Sequence, residues 1–87
     1  GKYSDRGVDK DQLMKMIQEL PDGYRIVFNM YVMEDYSHRD IANSLGISEN
    51  TSKTQLMKAR RALREKLKKV VEKELIKYTN EKARKSN

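Results

Sequence analysis

Eighty-seven residues allow one domain with a modest core. Hydrophobic and charged residues each make up 37% of the chain, with no cysteine and one histidine, which excludes a disulfide framework, a thiolate zinc site and a histidine cage. The net charge of +6 is unevenly placed: residues 1–49 hold six Lys/Arg against nine Asp/Glu, and residues 50–87 hold thirteen against four. Such a block points to a polyanionic partner, nucleic acid ahead of an anionic membrane surface.

In chain order the pattern is helical throughout. Residues 1–8 are polar, contain Gly1 and Gly7, and are expected to form a flexible lead. Asp9 can cap a helix by accepting a backbone N–H from its first turn. Leu13, Met14, Ile17 and Leu20 then recur at helical spacing. Pro21 ends that helix, because the residue before proline resists helical geometry, and it can open the next, where its missing N–H costs nothing. Tyr24, Val27, Phe28, Tyr31 and Val32 give the second helix an apolar stripe that runs out near Glu34.

Ser37 and Asp40 form an S-x-x-D box at the start of a third, two-turn helix, with Ile41, Ala42 and Leu45 as its inner face. Gly46 stands where a left-handed residue would end it, and Ile47 follows as an apolar plug. Ser48 caps a fourth helix, with Glu49 in its first turn. No proline or glycine stops this helix, which is expected to run to about Tyr78, followed by a disordered tail over 79–87. The expected architecture is all-α: a small four-helix domain over 9–78 with a helix-turn-helix and a long last helix.

The segment from Ser37 to Leu63 carries the functional signal. A short helix, a tight turn at a glycine and a longer helix make a helix-turn-helix, whose second helix enters the major groove and reads bases from its N-terminal end. With Lys53 at zero and about 100° per residue, Asn50, Lys53, Thr54, Met57, Lys58 and Arg61 fall on one side. Ser52, Leu56, Ala59 and Leu63 fall on the other, so the inner face is apolar or small and the outer face polar and cationic. Arg64 and Lys68 continue the outer stripe, where a phosphate backbone would run.

The pattern Ser37-x-x-Asp40-Ile41-Ala42-x-x-Leu45-Gly46-Ile47-Ser48-x-Asn50-Thr51-Ser52-Lys53-Thr54-x-Leu56-x-Lys58-Ala59-Arg60-x-x-Leu63 resembles region 4 of bacterial sigma factors, in particular the extracytoplasmic-function group. Leu20-Pro21-x-x-Tyr24-Arg25-x-Val27-Phe28 is similar to the segment that precedes it in that family, so the overlap spans about residues 9–67. The resemblance implies promoter recognition at the −35 element, docking on the β-flap of RNA polymerase through an apolar groove, and control by an anti-sigma factor. It implies no cofactor. A region that melts the −10 element is lacking and Gly1 stands in place of an initiator methionine, so the chain is expected to be an excised C-terminal domain.

Carried over by position, the resemblance implies base contacts from Lys53, Thr54, Gln55, Met57 and Lys58. It implies phosphate contacts from Ser37, His38, Arg39, Asn50, Thr51, Arg61 and Arg64, and a polymerase or anti-sigma groove of Met16, Ile17, Leu20, Val27, Phe28 and Tyr31. Gln55 lies where several relatives have arginine, and a glutamine pairs bidentately with adenine rather than guanine. Asn50 replaces a common glycine.

Plainer roles stand beside these. Thr51 also suits support of the Ser48 cap, His38 a solvated helix start, and Tyr24 and Tyr31 the core. Arg60 lies toward the inner edge, within reach of an acid such as Asp40 or Glu34. Met14, Met16, Met30 and Met33 fit an adaptable partner groove or ordinary packing. Val70, Val71, Leu75 and Tyr78 extend an apolar stripe that would pack back on the first helix, meet a partner helix or end exposed.

Other function classes are poorly supported. Ser37 and Ser48 are accounted for as caps, and the Glu34–Asp35 pair shows no apolar pocket to raise a carboxylate pKa. No run approaches the ~18 apolar residues of a membrane span, and no secretory signal is visible, so the cytoplasm is the expected compartment, without membrane insertion. A membrane-surface helix would carry aromatics opposite its cations, and residues 49–77 contain none. Two alternatives remain open on sequence: the output domain of a response-regulator-type transcription factor, and a protein-interaction module bound by an anti-sigma factor without DNA binding of its own.

Overall fold

The computed structural model describes residues 8–86, with side chains described over 8–80. The flexible lead expected at 1–8 lies outside the described residues except for Val8, which packs, half-buried, against the core. Helix α1 spans Lys10–Gln18, α2 Asp22–Phe28, α3 His38–Leu45 and α4 Glu49–Ser86. No strand occurs among the described residues, so the fold is all-α with four helices.

Local chemistry sets the helix ends. Asp9 accepts from the Gln12 N–H at 2.8 Å while the Gln12 side chain accepts from the Asp9 N–H at 3.1 Å, a reciprocal capping box. Pro21 is the N-cap of α2, its carbonyl accepting from the Arg25 N–H at 2.9 Å. The second helix then widens into a π-helical turn over Asn29–Met33, which the apolar spacing did not announce. The Glu34 N–H reaches back to Asn29 and the Tyr36 N–H to Met30, with Asp35 left-handed between them at φ 61°.

The core has two parts joined through Phe28. Met16, Ile17 and Leu20 of the first helical unit pack on Ala59 and Leu63 of α4. Val27, Ile41 and Leu56 bring together α2, α3 and α4, with Met30, Tyr31 and Ile47 packed against them. Four positions differ from the expected inner faces, Leu13 among them, which is exposed. Met14 and Leu45 are exposed, as is Val32, and Met16 takes the place of Met14 in α1.

The last helix does not stop near Tyr78 but continues to Ser86, so the tail expected to be disordered is helical over 79–86. Glu81, Lys82, Ala83, Arg84 and Lys85 are all good helix formers and nothing interrupts them. At about 1.5 Å per residue such a helix is roughly 57 Å long, which accounts for the 61 Å long axis of the molecule.

Candidate nucleic-acid interface

The turn between α3 and α4 is built by backbone chemistry legible in the residues. Gly46 adopts φ 68°, ψ 34°, and its N–H and that of Ile47 both donate to the Ala42 carbonyl. Ile47 then packs on the second core cluster. Ser48 Oγ accepts from the Thr51 N–H at 2.9 Å and its hydroxyl lies 2.9 Å from Thr51 Oγ1. Thr51 therefore supports the cap while remaining exposed. On the other side of the turn, Ser37 caps α3 by accepting from the Asp40 N–H at 3.1 Å.

The first half of α4 divides as its wheel requires. Ser52, Leu56, Ala59 and Leu63 are buried, Ser52 and Ala59 completely. Asn50, Lys53, Thr54, Met57, Lys58, Arg61 and Arg64 are exposed along the opposite side, and Ser37 and Arg39 are exposed at the start of α3. Among the described residues the ion pairs are Arg25–Asp22 at 2.9 Å and Lys66–Glu19 at 3.7 Å. Neither neutralises a cation of this outer face. Arg60 is exposed and pairs with neither Asp40 nor Glu34.

Three sequence assignments change. Gln55 is half-buried rather than turned outward, its side chain lying beside Gly23 of α2 with a buried Oε1 that has no hydrogen-bond partner. His38 is half-buried and turned inward: its Nδ1 lies 2.8 Å from Ser52 Oγ, and its ring stacks on Tyr31 at 4.4 Å between centroids. Met16, Ile17, Leu20 and Val27 are closed into the core and cannot line an open groove, while Phe28 and Tyr31 are half-buried. The apolar side chains left exposed on the first two helical units are instead Leu13, Met14, Ile26, Val32 and Met33.

Sequence reasoning placed Ser52 inward but missed its bond to His38. The signal was present, since a hydroxyl on a buried face requires a partner. No comparable signal marked the pairing of Gln55 with Gly23.

A capped helix that hides Leu56, Ala59 and Leu63 and shows exposed cations, set behind a glycine turn and a short supporting helix, defines a helix-turn-helix protein of the DNA-binding kind. Residues 10–63 match the family described as Sigma-70, region 4, and the chain belongs to that family. Neither the curated proteins nor the solved structures contain a match to it. Membership makes this a DNA-binding regulatory domain of transcription initiation, of a family that recognises the promoter −35 element and interacts with RNA polymerase, and not of an enzyme family. No helix among the described residues is long and apolar enough to cross a membrane.

Proposed function

We propose that this domain reads a −35 element with the first half of α4, as part of a cytoplasmic extracytoplasmic-function sigma factor. Lys53, Thr54, Met57 and Lys58 face base edges, the cations by donating to acceptors and Met57 by contact with thymine methyl groups. Ser37, Arg39, Asn50, Thr51, Arg61 and Arg64 meet phosphates on either side of the groove, fixing register without reading sequence. The reading unit extends from Asp9 to the end of the packed part of α4 near Val70. Polymerase docking falls to exposed apolar residues such as Leu13, Met14 and Ile26, and an anti-sigma factor competes for part of that surface.

The observation that carries this reading is the pairing of a buried inner face with an outer face of cations that no acid among the described residues neutralises, at the capped end of α4. It is preferred to a response-regulator output domain because the family match is with sigma region 4.

The test separates base from phosphate contacts. Lys53→Ala is expected to change the preferred sequence selected from a random duplex pool. Arg64→Ala is expected to weaken all duplexes alike and to reduce the slope of log K against log salt by about 0.9, the value for one lost phosphate contact. If neither variant alters duplex binding, the outer face of α4 is not the DNA face, and a module that binds only protein becomes the better account.

A further inference from the structure

His38 occupies an unusual place for the first residue of a helix. It is half-buried, its Nδ1 lies 2.8 Å from Ser52 Oγ, and its ring stacks on Tyr31 with an interplanar angle of 21°. It therefore joins three elements: α3, which carries it, the π-helical turn, which carries Tyr31, and α4, which carries Ser52. Ser52 is completely buried. Its backbone N–H donates to the Ser48 carbonyl at 3.0 Å, and its hydroxyl is hydrogen-bonded to His38.

This bond does something the apolar core does not. Leu56, Ala59 and Leu63 hold α4 by burial, which is non-directional and tolerates a small roll of the helix about its own axis. A hydrogen bond constrains both distance and angle, and the stack on Tyr31 fixes the ring plane from which Nδ1 points. Lys53 and Thr54 directly follow Ser52, each turned about 100° from its predecessor around the same axis. Any roll at Ser52 is therefore passed to two of the residues proposed to face base edges.

We propose that His38 is a positioning residue for base reading: through Ser52 it locks the rotation of α4, so that sequence preference depends on a side chain that touches no base. The inference rests on the reading of the outer face of α4 as the DNA face.

The experiment compares the duplex selected by the wild-type chain from a random pool with a scrambled duplex of the same composition, by anisotropy over a range of salt. Circular dichroism confirms that each variant is folded. His38→Ala and Ser52→Ala are each expected to lower the preference for the selected duplex about tenfold, the consequence of one oriented hydrogen bond, with the salt slope unchanged. The double variant is expected to be no worse than either single one, because both remove the same bond. His38→Asn, which offers both a donor and an acceptor near the Nδ1 position, is expected to restore most of the preference.

Equal weakening of both duplexes by His38→Ala, with the slope reduced by about 0.9, would overturn the proposal in favour of a phosphate contact. Unchanged preference in a folded variant would reduce the bond to a purely structural one. A wild-type chain that selects no sequence would remove the DNA-face reading itself and this inference with it, an outcome distinct from loss in the variants alone.

Discussion

Gly46 and Asp35 hold similar left-handed backbone at φ 68° and 61°, but only Gly46 does so without a Cβ. Each follows a helical segment and lets the next N–H groups turn back on the last carbonyls. Nothing lies within 4 Å of the place a Cβ would take at Gly46, so Gly46→Ala isolates backbone strain from crowding. The expected loss is about 1–2 kcal/mol, a fall in melting temperature of roughly 4–8 °C for each kcal/mol in a domain of this size. Asp35→Gly should act in the opposite direction. It relieves that strain at the cost of about 0.5–1 kcal/mol of added freedom in the unfolded chain, so the net gain is at most about 1.5 kcal/mol. Paired thermal melts decide the point: if both variants lose stability, left-handed strain is not what distinguishes the two turns.

The helix ends were legible in the sequence because capping is local. Asp9, Ser37, Gly46 and Ser48 act as their residue types require, each within five residues along the chain. The face of α4 was legible because its apolar and small residues keep to one side. The first helical segment was harder, since Leu13, Met14, Met16 and Ile17 of α1 occupy more than one face, and packing on Ala59 and Leu63 selects Met16 and Ile17 together with Leu20 just beyond the helix. The π-helical turn left no trace, because widening a turn by one residue needs no particular side chain. The same limit applies to the expected docking groove, four of whose six residues, Met16, Ile17, Leu20 and Val27, are buried by tertiary contact. Ile17→Ala is accordingly expected to cost about 2–5 kcal/mol as a core truncation. Met14→Lys, at an exposed position, should change stability by no more than about 0.5 kcal/mol. Titration with a peptide of the β-flap tip helix checks the functional side: Met14→Lys should weaken its binding while leaving the melt in place. Full binding by that variant would move the docking surface away from α1.

The molecule is a small helical body from which one helix projects. Packing against the core reaches Leu67 and Val70, and from Val71 to Asn80 every residue is exposed. Among the described residues, none beyond Val70 packs on either core cluster, and the helical order of that stretch draws on propensity and on continuity with the packed turns before it. Unsupported helices of about 12–15 residues are marginal in water, so this extension should melt gradually and below the body. The cations follow a different distribution. Residues 50–71 carry eight Lys/Arg against one Asp/Glu, whereas residues 72–87 carry five against three, so most of the charge that a DNA backbone would meet lies on the supported part. A chain ending at Val71 is therefore expected to lose the gradual phase of the circular-dichroism melt and keep the cooperative one. Its midpoint should move by less than about 4 °C, the shift for a surface change of about 0.5 kcal/mol. Its salt slope on duplex DNA should stay within about one phosphate contact of the full chain. A much larger drop in the midpoint would mean that Leu75 and Ile76, exposed here, are covered in solution. Repeating the melt at several protein concentrations would then tell whether a second copy covers them, since only association makes the midpoint depend on concentration.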